Sequence, residues 1–295
     1  MLPNPILNKL GFSATDRIVI THADDIGMCQ ASIQAYEDLF AFGTLKSGAV
    51  MVPCPWFPAA AAMQKRNPAH DLGVHLVLTS EWEFYRWRPL TATITGSSLV
   101  DEQGFFPRSD PEVQERADPE QAGVELLAQV QRALQFGIDV THIDTHMGAI
   151  AHPKFIPAYI QLATQFQVPP LIRKGDVEMY KSFGMDEDTA QFLVMLTASL
   201  EDQGFVLVDF ATGLPLDAPA GQLEVAKKMF GDLNPGLTHF IIHPSIETPE
   251  LRAITPDWES RVANYNVFKS EAFKKFLESE DIKLIGYREV REAMR

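Results

Sequence analysis

The sequence contains little cysteine. Only Cys29 and Cys54 occur among its 295 residues, far apart and in no C-x-x-C pair. This usage indicates neither a disulfide framework nor a structural zinc knot. It is typical of proteins in a reducing cytoplasm, which is where we expect this chain.

Long basic runs and long apolar runs are also missing. The formal net charge is -14, and no Lys/Arg-rich run could follow a phosphate backbone, so nucleic acid is not an expected partner. The first residues, MLPNPILNKLGF, lack the basic start and the continuous apolar core of a signal peptide. No window holds the roughly 18 apolar residues of a membrane span. We expect a soluble protein that is not exported and does not contact a membrane.

Short apolar runs rich in Val and Ile recur along the chain. They are RIVITHA, SGAVMVP, LGVHLVL, THIDTH, PLIRK, FVLVDF, THFIIHP and IKLIGY. Between them lie amphipathic patterns such as CQASIQAYEDLFAFG, PEQAGVELLAQVQRALQFG, PKFIPAYIQLATQF and AGQLEVAKKMFG. Eight such strand and helix units predict an α/β fold, a TIM-like (β/α) barrel or an irregular version of one, as a single domain over residues 1–295. A doubly wound sheet would carry a Gly-rich phosphate turn after its first strand, and ADDIG stands there instead.

The connection after the third strand, residues 80–117, is much longer than the others. Its aromatic residues are Trp82, Phe84, Tyr85, Trp87, Phe105 and Phe106. Long loops in compact domains are often binding loops, and aromatic rings stack well on sugars. Packing of the rings onto the barrel is the equally weighted alternative, because aromatic side chains are commonly buried.

Polar residues stand at the ends of the predicted strands, where barrels of this kind place their active sites. They are His22, Asp24, Asp25, His75, His142, Asp144, His146, Arg173 and His243. Taken singly, each has a structural alternative: a lone histidine is usually a hydrogen-bonded core residue, Asp25 could cap the following helix, and Asp144 could orient a neighbouring ring. Together they supply two histidines and a carboxylate from three strands, which is a standard set around one catalytic cation.

A cation would also make the adjacent carboxylates Asp24 and Asp25 tolerable, because one can coordinate it while the other acts as a base. Neighbouring residues of a regular strand face opposite sides, so both aspartates reach one site only if the chain turns there. Gly27 provides the conformational freedom for such a turn.

These residues resemble the YdjC-like carbohydrate deacetylases, a family that includes chitooligosaccharide deacetylase. The segment HADDIG is similar to the family's N-A-D-D-F-G, and GVHLVLT is similar to its G-x-H-x-x-L-T. Further along, THIDTH resembles T-H-x-D-S-H, and HP at Pro244 resembles a late H-P. The matches run in order from residue 17 to about 245, so the resemblance covers most of the chain.

The resemblance implies an irregular TIM-like barrel and one divalent metal ion, zinc or magnesium, held by Asp25, His75 and His146. It further implies attack of a metal-bound water on the acetamide of an N-acetylated sugar, with Asp24 as general base and His243 as the acid or the oxyanion partner. Two departures change the expected pocket wall but keep the implied ligands. The family's usual Asn is replaced by His22, and its His-rich run after the fourth strand is replaced by a segment whose next histidine is His152.

The sequence therefore predicts a metal-dependent hydrolase that removes an acetyl group from an N-acetylated sugar or a related small acylated compound. The expected substrate-binding residues are Arg173, His22, Trp82 and Trp87. Alternatives are a metal-dependent lyase, isomerase or oxygenase on the same barrel, since two histidines and a carboxylate also hold non-haem iron, or a non-catalytic carbohydrate-binding protein. The last is disfavoured because Asp24 would have no use there. A homodimer is the default expectation for a soluble enzyme of this size.

Overall fold

Parallel strands form the centre of the protein. The computed structural model describes residues 4–91, 96–182 and 184–295, and within them it has one seven-stranded sheet. The strands are β1 (Arg17–Ile26), β2 (Ser47–Val50), β3 (Leu72–Leu76), β4 (Val140–Thr145), β5 (Phe210–Gly213), β6 (Gly236–Ile242) and β7 (Lys283–Ile285). All of their pairings are parallel, so the α/β prediction is confirmed.

Helices connect these strands. Their bounds are α1 (Pro5–Lys9), α2 (Gln30–Phe42), α3 (Phe57–Arg66), α4 (Asp110–Arg116), α5 (Pro119–Gln135), α6 (Ile156–Phe166), α7 (Val177–Ser182), α8 (Glu187–Asp202), α9 (Gln222–Gly231), α10 (Pro249–Ile254), α11 (Trp258–Phe268), α12 (Glu271–Ser279) and α13 (Tyr287–Met294), with a 3-10 segment at His146–Ala151. Helix α2 ends as predicted at a glycine, Gly43, whose φ of +94° allows the left-handed cap. Nowhere in the described parts of the chain is a helix both long and apolar enough to span a bilayer.

The strands lie in the order β4-β3-β2-β1-β6-β5, and β7 pairs with β1. Isolated parallel bridges, Ile143 to Pro170 and Arg173 to Val208, join β4 to the residues just before β5 through the segment 170–173. The two edges of the sheet are thus connected by single bridges and not by a strand ladder. The predicted strand PLIRK is nevertheless wrong as a ladder, because Pro169 and Pro170 have no N–H groups to donate.

The interruption at 170–173 also shortens the next predicted strand. The run FVLVDF was expected to be a strand, but β5 begins only at its last residue, Phe210. The amide of Val208 donates to Ile172, whereas the amide of Asp209 donates to Leu237 on β6. Because the chain changes partners between these two residues, no continuous ladder forms before β5.

The sheet is covered on both faces, as expected for parallel strands. On β1, Val19 and Ala23 pack with the surrounding helices, whereas Ile18 and Ile20 belong to a smaller apolar cluster that includes Leu237 and Ile285. Further along the interior face of β1 the side chains become polar, with His22 and Asp24 buried. Apolar packing thus fills the amino end of the interior, and polar residues occupy the carboxyl end.

The long connection 80–117 lies against the sheet, and α4 forms near its end; residues 92–95 lie outside the described part of the chain. Trp82, Trp87 and Phe106 are buried, and the rings of Trp82 and Trp87 meet edge to face at 5.3 Å. Phe84 is different, because it is 85% exposed. Packing against the rest of the fold therefore accounts for three of the six aromatic residues of this loop.

Candidate metal centre

A bulge at the end of β1 turns both aspartates to the same site. Ala23 pairs with Gly48 and Ile26 with Val50, so β1 contains one residue more than β2 over this stretch. Asp25 has a φ of +61°, a left-handed conformation that aspartate tolerates better than most residues, and Gly27 has a φ of +86°. The predicted turn is confirmed. The helix-cap alternative for Asp25 is wrong, since the residue that caps α2 is Cys29.

Three buried side chains converge at the carboxyl ends of β1, β3 and β4. Asp25 Oδ1 lies 3.4 Å from His75 Nε2 and 3.1 Å from His146 Nδ1, and the two ring nitrogens are 3.3 Å apart. These side chains are among the groups in the described residues whose ligand atoms could share one metal ion. We call Asp25, His75 and His146 the triad.

Carboxylates hold the outer nitrogens of both triad histidines. Asp144 Oδ1 lies 2.8 Å from His75 Nδ1, and Glu81 Oε2 lies 3.1 Å from His146 Nε2. This arrangement is typical of metal-binding histidines, because the outer hydrogen bond fixes the tautomer and leaves the inner lone pair for the ion.

Arg261 on α11 holds the triad aspartate. Its Nη1 donates to Asp25 Oδ2 at 2.7 Å, and its Nε donates to Asp257 at 2.7 Å. The opposite oxygen, Asp25 Oδ1, is buried without a hydrogen-bond partner. That oxygen therefore faces the two histidines with a lone pair that no hydrogen bond uses.

The triad fits a divalent cation. Ligands about 2.1 Å from an ion are separated by roughly 3.0 to 3.4 Å in octahedral or tetrahedral geometry, which is the range of the three separations given above. Charge agrees as well, because the buried carboxylates of Asp24, Asp25 and Asp144 outnumber the buried guanidinium of Arg261, and a cation would offset part of this excess.

A second group, His22, Asp24, Asp144 and His239, also brings ligand atoms within 4.8 Å of one another. Both nitrogens of His22 are already engaged, Nδ1 with Asp24 Oδ1 and Nε2 with His142 Nε2, each at 2.7 Å. No lone pair of this ring is left for an ion. The triad is therefore the better candidate metal centre.

Without a cation, the triad behaves as a set of ion pairs. Burial lowers the pKa of His146, but the carboxylates of Glu81 and Asp25 outweigh it and raise this pKa to about 9. Burial likewise raises the pKa of Asp25, but Arg261 and His146 hold it well below its usual range. A cation at this position would replace the protons of the histidines.

Asp24 and His243 lie next to the triad. Asp24 Oδ2 is 3.8 Å from His75 Nε2 and 3.8 Å from His243 Nε2. The side chain of His243, just after β6, is 20% exposed, and its backbone N–H donates to Asn264. These two side chains border the triad on the side of β6.

The other predicted site residues do not all reach the triad. His22 is fully buried with both nitrogens bonded, so the expectation that it binds substrate is corrected to a supporting contact with Asp24. Arg173 donates to the carbonyl of Asp209 and lies over the ring of Phe210. The buried ring of Trp82 lies over Arg261, and that of Trp87 lies 6.2 Å from His146, so both indoles pack around the centre.

Sequence reasoning missed Glu81 and Arg261. Glu81 follows the third strand within the aromatic loop, and its place after a strand end is the feature that could have marked it as a candidate site residue. Arg261 lies 236 residues from Asp25, in a helical pattern that does not distinguish it from a surface residue. The partner of His75, Asp144, was noted in the sequence only as a residue that could orient a ring, which is what the structure finds.

Comparison with known proteins places the chain in a family. The model of the YdjC-like protein family matches residues 18–279. The chain belongs to this family. A protein of Thermus thermophilus named carbohydrate deacetylase is 35% identical to this YdjC-like protein over 292 residues, covering 98% of this chain and 99% of the relative. A second protein named carbohydrate deacetylase, from Thermoanaerobacter pseudethanolicus, is 24% identical, and the match covers 92% of this chain and 98% of that relative.

A solved structure from Enterococcus faecalis V583 also matches this YdjC-like protein. Its name refers to cellobiose-phosphate cleavage, the TM-score is 0.74 and the sequence identity is 20%. The match covers 94% of this chain and 99% of the other. At 20% sequence identity, this similarity is evidence for the fold alone.

Proposed function

We propose that the protein is a metal-dependent hydrolase that removes an acetyl group from an N-acetylated sugar or a related small acylated compound. The observation that carries the proposal is the triad, a buried carboxylate and two buried imidazoles with inner atoms 3.1 to 3.4 Å apart. The names of the relatives, carbohydrate deacetylase, support the substrate class.

In this proposal Asp25, His75 and His146 hold one divalent cation. When bound, such an ion polarises a carbonyl oxygen and lowers the pKa of water, from 15.7 to about 7 for zinc. The two imidazoles and one carboxylate suit zinc, whereas magnesium prefers oxygen ligands, so the donor set favours zinc over magnesium. The buried surroundings exclude bulk water and strengthen every charge interaction at the centre.

Asp24 is the proposed general base. Its Oδ1 is occupied by His22, so only Oδ2 is free to take a proton, and this oxygen lies between His75 and His243. Burial raises the pKa of Asp24, but the neighbouring imidazoles, His75 first, hold it below its usual range. The carboxylate form that a base requires is thereby favoured.

His243 is the proposed acid or oxyanion partner. It faces the same oxygen of Asp24 at 3.8 Å, so both groups can act on one amide. In the hydrolysis, a bond forms between the water oxygen and the carbonyl carbon, and Asp24 takes the proton from the water. The bond between carbon and nitrogen then breaks, and the departing amine gains a proton from His243 or from Asp24. The products are the free amine and acetate.

The test uses the purified full chain. We expect about one equivalent of divalent metal per chain by elemental analysis, acetate release from N-acetylglucosamine oligomers, and loss of release with a chelator. Added zinc or magnesium should restore it, and His75→Ala should neither bind the metal nor be rescued. Metal-loaded protein that releases no acetate from any acetylated sugar would contradict the proposal, as would activity that a chelator leaves unchanged.

A further inference from the structure

Three histidines lie in the interior below the triad, where barrels usually pack branched aliphatic side chains. They are His22 on β1, His142 on β4 and His239 on β6, and all are fully buried. The ring of His142 stacks on Tyr287 at 3.9 Å and 17°. It also lies against Gly73, where an added Cβ would come within 2.5 Å of the ring. The interior is therefore shaped around the imidazole of His142.

A continuous chain of hydrogen bonds joins Asp24 to the amino end of the sheet through this ring. From Asp24 Oδ1 it passes to His22 Nδ1 at 2.7 Å and from His22 Nε2 to His142 Nε2 at 2.7 Å. It continues from His142 Nδ1 to Thr141 Oγ1 at 3.0 Å, and from there to Asp71 Oδ1 at 2.5 Å. The members of this chain are buried, so water does not compete with any of these bonds.

The direction of the chain is set at Asp71. This carboxylate also accepts a hydrogen bond from Ser47 Oγ at 3.0 Å and one from the backbone N–H of Arg288 at 2.7 Å. Burial raises the pKa of Asp71, but the hydrogen bonds from Thr141, Arg288 and Ser47 oppose this effect and stabilise the carboxylate, which can only accept. Thr141 therefore gives its single hydroxyl hydrogen to Asp71 and must accept from His142 Nδ1.

With its hydrogen on Nδ1, a neutral His142 has a bare Nε2. Burial, together with the nearby His22, holds the pKa of His142 well below its usual value, so the neutral form is the one present. The bare Nε2 can only accept, and His22 must donate to it from Nε2. His22 also donates from Nδ1 to the Asp24 carboxylate, so its ring carries a hydrogen on both nitrogens and is held as an imidazolium between Asp24 and His142.

We infer that Thr141 and His142 are positioning residues, which act through His22 to hold Asp24 with Oδ1 engaged and Oδ2 presented to the substrate. The inference rests on the proposed function only in naming Asp24 as the base. The direction of the hydrogen bonds is independent of any activity, and it makes a prediction for each ring nitrogen.

The test compares Thr141→Val, which removes the hydroxyl at constant size, with Thr141→Ser, which keeps it. In protein labelled with 15N-histidine, nitrogen shifts distinguish ring nitrogens that carry hydrogen from those that do not, and His142→Gln assigns the signals of His142. We expect His142 to be protonated at Nδ1 and bare at Nε2 in the wild type and in Thr141→Ser, with this pattern lost in Thr141→Val.

In the kinetic arm, Thr141→Val should lower kcat roughly 10-fold, the lower end of typical outer-shell effects, with KM and bound metal unchanged, and Thr141→Ser should restore kcat. A wild-type His142 protonated at Nε2 would overturn the inference, and so would Thr141→Val with an unaltered pattern and full kcat. Absence of deacetylation in the wild type would remove the proposed function alone, because the nitrogen shifts still report the direction of the chain. A thermal unfolding scan shows whether each variant is folded.

Discussion

The charged side chains at the two ends of the sheet differ in how fully they are hydrogen-bonded. At the amino end, Asp71 has donors on both oxygens, and Arg291 forms two hydrogen bonds with Asp139, at 2.5 and 3.1 Å. At the carboxyl end, Asp25 Oδ1, Asp144 Oδ2 and His243 Nδ1 are buried and have no hydrogen-bond partner. Among the described residues Arg291 Nε is also buried without a partner, so the difference lies in the carboxylates: those of Asp71 and Asp139 are hydrogen-bonded, whereas Asp25 and Asp144 each keep one unpartnered oxygen.

An unsatisfied buried polar atom costs about 1 to 3 kcal/mol. A fold retains several such atoms in one place when a ligand supplies the missing partners. The unpartnered oxygens of Asp25 and Asp144 thus support the predicted triad by an argument that does not depend on any motif. Substitutions at each end of the sheet, and in the loop beside the triad, test this difference.

The largest effects should come from the carboxyl end. We expect His75→Ala to lose both the metal and turnover, and Asp24→Asn to keep the metal but lose about 100-fold or more of kcat, the size of a general-base contribution. Elemental analysis and acetate release measure the two quantities. Undiminished activity of metal-loaded Asp24→Asn would remove the proposed base.

Glu81→Gln should weaken metal binding roughly 10- to 100-fold, since loss of an outer partner commonly has that effect on a ligating histidine. Glutamine keeps the shape but not the charge that holds His146 Nε2. Calorimetric titration with zinc measures the affinity. The exposed Glu83 of the same loop provides the matched control Glu83→Gln, whose affinity should equal that of the wild type; equal affinity in Glu81→Gln would show that the contact is not used.

The aromatic loop should separate into a substrate-facing and a structural part. Phe84→Ala should raise KM for N-acetylglucosamine oligomers a few-fold, because an aromatic contact contributes about 0.5 to 1.5 kcal/mol, while the unfolding temperature stays unchanged. Trp87→Ala should instead lower stability by about 3 to 5 kcal/mol, the usual cost of truncating a buried aromatic residue. An unaltered KM in Phe84→Ala would assign that ring no part in binding.

At the amino end, Asp139→Asn should cost well under about 1 kcal/mol, because the Asp139 side chain is 46% exposed and its ion pair is screened by solvent. The hydrogen bond from Arg291 lowers the pKa of Asp139. The wild-type advantage is therefore complete above about pH 3.9, the ordinary aspartate pKa, and fades as the pH falls below it. Urea unfolding at pH 7 and pH 3 measures the difference. A change in metal affinity would show that the two ends are coupled.

Much of this architecture is readable from the sequence, and the exceptions have physical causes. The Val/Ile runs predicted the strands because burial on both faces demands apolar residues, and the order of Asp25, His75 and His146 predicted convergence because parallel strands share an end. The sequence also contained the reason why PLIRK forms no strand ladder, namely Pro169 and Pro170, which have no N–H group to donate. Glu81 and Arg261 could not be found this way, since a contact between loops or distant helices leaves no periodic trace.

Gly73 contributes to the packing of the buried histidines although it has no side chain. Because the imidazole of His142 occupies the space that a β-carbon at Gly73 would need, the two residues form one unit spread over neighbouring strands. Transfer of this centre to another scaffold therefore requires a glycine at the position that faces the imidazole, in addition to the ligands.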